Sequence, residues 1–137
     1  MKIVLDTNVL VSALIQPEGI PARILDRILR NQVKLLIDHR IFTEYEDVLS
    51  RPEFAFPADQ LNQLFDFILQ AGERVYTVRI RLKLADPADE KFLEVAKDGA
   101  ADFLVTGNLR HFPARLREDV QVISPREWWN LWKKANT

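Results

Sequence analysis

Four carboxylates and one amide stand where an alternating α/β chain would gather them. Asp6 closes the apolar run Ile3-Val4-Leu5. Glu44 lies one to two turns into a helical pattern that begins after Asp38. Asp86 and Asp89 open a further helical pattern, and Asn108 follows the run Phe103-Leu104-Val105. In open parallel sheets, sites form beyond the carboxyl ends of the strands. A set built from carboxylate and amide oxygens suits the hard cations Mg²⁺ or Mn²⁺ and not zinc. A cation held there neutralises the non-bridging oxygens of a phosphodiester and lowers the pKa of a coordinated water. Two cations about 3.5–4 Å apart clamp the attacking and leaving oxygens. An acidic pocket alone repels a phosphate backbone, so a metal ion is what reconciles these acids with a nucleic-acid substrate.

Other chemistries are poorly served. The chain has 137 residues, no cysteine and two histidines, His39 and His111. That excludes a disulfide framework, a thiolate nucleophile and a three-histidine zinc site. Four glycines, Gly19, Gly72, Gly99 and Gly107, are too scattered for a P-loop or a dinucleotide cradle. Ser12, Ser50 and Ser124 lie in no G-x-S-x-G setting. A haloacid-dehalogenase-type phosphatase wants a second acid two residues after the first, and Asn8 stands there. The length fits one domain spanning 1–137, large enough to bury a core. The net charge of −1 gives no global pull toward nucleic acid, so contact with RNA needs a local basic patch. The sequence shows neither a secretory leader nor an apolar run of about 20 residues. The expectation is a cytoplasmic protein without a membrane partner.

The elements that must position these residues alternate. Strands are expected at Ile3–Leu5, Val33–Ile37, Val75–Val78, Phe103–Val105 and Val120–Ile123. Helical periodicity follows each of the first three: Val9, Leu10, Ala13 and Leu14; Ile24, Leu25, Ile28 and Leu29 after Pro21; Ile41, Tyr45, Val48 and Leu49; Leu61, Leu64, Phe65, Ile68 and Leu69 up to a stop at Gly72; and Phe92, Leu93, Val95 and Ala96. Ser124-Pro125-Arg126-Glu127 is a capping box with proline at the first helical position. Trp128, Leu131 and Trp132 give the helix it starts an apolar face. Such alternation predicts a mostly parallel sheet covered on both faces, a three-layer α/β domain.

The same residues resemble a known family. Ile3 to Leu14 is similar to the opening of a PIN-domain ribonuclease. Thr43-Glu44-Tyr45 with Val48-Leu49 resembles its second acidic motif, Asp86 to Ala96 its third, and Ala101 to Asn108 its fourth. The motifs occur in order over nearly the whole chain. The resemblance implies a five-stranded parallel sheet of order 3-2-1-4-5 and cleavage of single-stranded RNA that depends on Mg²⁺ or Mn²⁺, leaving a 5′ phosphate. It implies Asp6, Glu44 and Asp89 as metal-binding acids, with Asp86 a further one. Many small members are toxins of bacterial toxin–antitoxin pairs, so an antitoxin protein and a homodimer are implied partners. Where many members carry a fourth acid, this chain has Asn108 and, three residues on, His111. An amide offers an oxygen ligand or holds a metal-bound water but adds no charge, which fits one protein-held metal ion, with a second recruited by substrate, better than two tightly held ones.

Each residue also has a structural reading. Asp6, Asp38 and Asp86 all precede helical patterns and fit N-caps. Asp89 fits an acid favoured by a helix dipole. Glu44, beside Glu46 and Asp47, fits a solvated helix face. Asn108 after Gly107 fits a turn. Asn8 is expected to brace a loop or to lie near substrate, and Thr106 to orient a carboxylate or touch substrate. Arg110, Arg115 and Arg117 are candidates for RNA phosphates, or a plain basic loop. His111 is expected at the surface near substrate, and Trp129, off the main apolar face, is the tryptophan best placed to stack on a base or a partner. Hydrolysis of RNA at the acidic set is the leading expectation, and a non-catalytic RNA- or protein-binding module is the alternative.

Overall fold

The computed structural model describes residues 1–77, 84 and 86–137. Five strands, β1 (Lys2–Leu5), β2 (Lys34–Ile37), β3 (Glu73–Arg74), β4 (Phe103–Val105) and β5 (Val122–Ile123), form one sheet of order β3-β2-β1-β4-β5. Every pairing is parallel, with Ile3 opposite Leu35 on one side and Phe103 on the other. Parallel neighbours require crossovers, and the helices supply them. These are α1 (Thr7–Ile15), α2 (Ile20–Leu29), α3 (His39–Leu49), α4 (Ala58–Ala71), α5 (Glu90–Asp98) and α6 (Pro125–Ala135). The predicted fold class and strand order match this architecture.

The strands are short and the reason they hold is burial on both sides. Ile3, Val4 and Leu5 point alternately to opposite faces, and all three are buried, as are Leu35, Leu36 and Ile37. Helix α5 packs against β1, β2 and β4, so it lies across the middle of the sheet. Its buried face is Phe92, Leu93, Val95 and Ala96. Helix α2 bridges α1 and α6, and α6 anchors itself through the fully buried Trp128, stacked on Trp132 with ring centroids 5.3 Å apart. The predicted capping box is present: Ser124 Oγ accepts from the Glu127 amide and Glu127 Oε1 accepts from the Ser124 amide.

Two local expectations shift. The third strand is Glu73–Arg74, earlier than its apolar residues suggested. Val75 adds one more bond, its amide donating to the Ile37 carbonyl at 2.8 Å, and Val78 lies outside the described residues. The strand starts early because Gly72 lets it. A Cβ there would stand 2.5 Å from the Ile68 carbonyl oxygen, so the chain can turn tightly off α4 only with glycine. Asp86 opens not an α-helix but a 3₁₀ turn, Pro87–Asp89, which leads into α5 at Glu90.

One buried hydrogen bond ties the third helix to the end of the central strand. The Tyr45 hydroxyl donates to the Leu5 carbonyl at 2.6 Å, with Tyr45 fully buried. Burial, followed by the fields of Asp6, Glu44 and Asp38, pushes its phenol well above the usual tyrosine range, so it remains a donor. Tyr45→Phe is expected to cost roughly 1–2 kcal/mol, read as a lowered urea midpoint with an unchanged far-ultraviolet circular dichroism spectrum.

Candidate functional site

The structure separates acids that cap from acids that do not. Asp38 accepts from the Ile41 amide at 2.9 Å and Asp86 from the Ala88 amide at 3.0 Å, as N-caps should. Asp38 is further tied up by Arg40, which also reaches Glu94 at 2.9 Å. Asp6 and Asp89 also precede helices, α1 and α5, yet neither side chain makes a capping bond. Both are nearly buried, at 6% and 9% exposure. A buried carboxylate that does not cap the helix it precedes needs another reason to be there.

Asp6 sits at the carboxyl end of β1, and its Oδ2 accepts from the Thr106 hydroxyl at 2.8 Å. Thr106 follows β4 and has no exposed surface, so it orients Asp6 and does not meet substrate. The Thr106 oxygen in turn accepts from the Asn108 amide at 3.0 Å. Asn8 Oδ1 accepts from the Gly107 amide at 3.1 Å, which clips the start of α1 to the loop after β4. Asn8 is thus the loop brace, with its side-chain oxygen occupied.

Glu44 points inward from α3. Thr7 Oγ1 donates to its Oε2, and Lys91 Nζ stands 2.8 Å from its Oε1. Asp89 Oδ2 is a buried oxygen with no hydrogen-bond donor among the described residues; His111 Nδ1 lies 3.1 Å away without hydrogen-bonding to it. The other ring nitrogen, Nε2, is 2.9 Å from Asn108 Nδ2. His111 therefore stands between Asp89 and Asn108. Thr7 and Lys91 were not singled out from sequence. The only signal for Lys91 is a cation in the first turn of a helix, where the dipole disfavours one.

The acids feel one another. Burial pushes the Asp6 carboxyl up to about 6; the Thr106 hydrogen bond lowers it, and the negative fields of Asp89 and Glu44 raise it further. Asp89 is also raised, chiefly by burial, with His111 and Lys91 pulling it down and Asp86 and Glu44 pushing it up. An orphaned buried oxygen, a carboxyl strained by its acidic neighbours and an all-oxygen donor set fit a hard divalent cation. Among the described residues, no three or more Asp, Glu or His side chains already close around a common point. The fit is one of donor chemistry: Asp6, Glu44 and Asp89 are carboxylates close enough to shift one another's acidity.

The remaining candidates sit elsewhere or differently. Asp86 is exposed and spent on its turn. Arg110 and Arg115 are exposed and free to meet an anion, whereas Arg117 donates to the Phe112 carbonyl at 2.6 Å and serves the fold. Trp129 is half-buried, with the Arg23 guanidinium 5.5 Å from its ring centroid, so a side chain of this chain already stacks on it. No helix among the described residues is long and apolar enough to cross a membrane.

Comparison with known proteins agrees with this reading of the fold. A PIN domain family model matches residues 2–110, a span that holds Asp6, Glu44, Asp86, Asp89 and Asn108. An uncharacterized protein of Methanocaldococcus jannaschii is 28% identical over 111 residues, covering 79% of this chain and 71% of that protein.

The raised Asp6 carboxyl has a consequence for stability. Its folded pKa of about 6 lies above the ordinary 3.8, so the ionised form weighs against folding above pH 6. That penalty fades as pH falls from about 6 toward 3.8. Asp6→Asn is expected to stabilise the metal-free protein at alkaline pH by on the order of 2–3 kcal/mol. Thermal unfolding should show the gain shrinking to nothing near pH 4; a gain that grows on acidification would contradict the assignment.

Proposed function

Because the chain belongs to the PIN-domain family, we propose that it is a metal-dependent endoribonuclease that hydrolyses single-stranded RNA. Membership points to nuclease-type chemistry; the metal requirement and the RNA substrate are our reading of the site. The observation that carries it is the pair Asp6 and Asp89, buried at helix starts with no side-chain capping bond, the latter with an oxygen that accepts no hydrogen bond and has His111 Nδ1 3.1 Å away. Buried carboxylates held close to one another with shifted acidity are commoner at functional sites than elsewhere.

Asp6, Glu44 and Asp89 would hold Mg²⁺ or Mn²⁺, with Asn108 a neutral donor beside them. When bound, such a cation supplies positive charge for the phosphodiester and acidifies water for in-line attack. The chain's own contribution is to fix the acids. Thr106 holds Asp6, Thr7 holds Glu44, and His111 spans Asp89 and Asn108. Orientation by such supporting groups governs how well carboxylates bind metal. Arg110 and Arg115 are exposed cations suited to phosphates flanking the cut. A role as the toxin of a toxin–antitoxin pair, in the cytoplasm, is part of the same proposal. The uncharged Asn108 favours one alternative, a PIN-like module that binds RNA or protein without cutting it.

Three variants test the reading on a labelled single-stranded RNA with added Mn²⁺ or Mg²⁺. Asp6→Asn and Asp89→Asn should each lower cleavage by roughly 10²-fold or more. Thr106→Val, which leaves the acids but frees Asp6 to turn, should lose about 10–100-fold. Wild-type protein inert on several RNAs with either metal, free of any bound inhibitor, leaves the binding module as the better description. Growth arrest on expression, relieved by the neighbouring gene product, tests the toxin role separately.

A further inference from the structure

Among the described residues, Lys91 is the lysine that reaches into the acidic cluster. Its ammonium lies 2.8 Å from Glu44 Oε1, and its side chain is only 11% exposed. It also donates to the Ala88 carbonyl, at the turn that carries Asp89. Its position is costly by two criteria. It sits in the first turn of α5, where the helix dipole opposes positive charge. Its ion pair is largely out of water, where desolvation cancels much of the attraction. Fold stability alone is a weak reason to retain it.

The charge balance supplies a better one. Asp6, Glu44 and Asp89 together bring three negative charges, and Asn108 brings none. One divalent cation and one ammonium balance that set; without the ammonium, one negative charge is left over, and it favours a further cation. Both Glu44 oxygens are engaged, one by Thr7 and one by Lys91. Glu44 is thus held in place before any metal arrives.

We infer that Lys91 is a built-in counter-cation of the site, holding Glu44 in the metal-free protein and standing where a second divalent ion would otherwise bind, so that the chain loads a single metal ion. This rests on the metal-dependent reading above and deepens it. Lys91 acts through Glu44 as a positioning residue.

The test is metal uptake, independent of cleavage. Chelator-treated protein is titrated with MnCl₂ by calorimetry, and bound Mn²⁺ is counted by electron paramagnetic resonance. Wild type is expected to take up one Mn²⁺ per chain. Lys91→Met, and Lys91→Gln as a variant that keeps a hydrogen-bond donor without the charge, should take up a second Mn²⁺ or bind the first about tenfold more tightly. Lys91→Arg should restore the wild-type titration. In the metal-free state both neutral variants should melt at a lower temperature, and excess Mn²⁺ should raise their melting temperature more than that of wild type. Unchanged stoichiometry and affinity in folded neutral variants overturns the inference and leaves the metal-dependent reading intact. Two tightly held Mn²⁺ in wild type does the same, even should neither neutral variant fold. Uptake by Lys91→Met but not by wild type upholds the lysine's role and removes metal dependence from the native chain. No uptake by any variant removes both.

Discussion

A carboxylate placed almost out of water at the carboxyl end of the central strand is the constraint around which this molecule is organised. Asp6 is 6% exposed, and its side chain makes no capping bond to α1. Everything near it answers to that cost. Thr106 supplies a hydroxyl from the neighbouring strand, and the Tyr45 hydroxyl pins the Leu5 carbonyl just before it. Helix α5, laid across β1, β2 and β4, brings Asp89 to the same edge of the sheet. A site that puts like charges together is held by the rest of the core, which stabilises the fold enough to tolerate it.

Much of this was legible in the residues. Alternation of apolar runs with helical periodicity is a statement about burial, and burial on both faces is what a parallel sheet needs. The runs Ile3-Val4-Leu5 and Phe103-Leu104-Val105 accordingly became adjacent central strands. Ser124 and Glu127 sit three apart with proline between, a local pattern whose geometry is set by the helix alone. Where the answer depended on contacts distant in sequence, the residues were silent. Asp6, Asp38, Asp86 and Asp89 all precede helical segments, and nothing local says which of them cap. Only the structure shows that Asp38 and Asp86 do so while the other two do not.

The same limit explains the residues that were missed or reassigned. Lys91 read as one charge among many, because its partner Glu44 lies on another helix. Thr7 carries no signal of its own in the sequence, because its bond to Glu44 is again between elements. Arg117 looked equivalent to Arg110 and Arg115 until backbone carbonyls claimed its guanidinium. The third strand began early because Gly72 permits a close approach that apolar periodicity cannot register.

The clip between Asn8 and Gly107 and the bond from Thr106 to Asp6 join groups 99 and 100 positions apart. Contacts of such long span close late, after the loop entropy between them has been overcome. A nascent chain still short of β4 therefore has its first acid but nothing to orient it. The acidic set at the sheet edge is therefore not in its final arrangement until β4 and the Thr106 that follows it have been made.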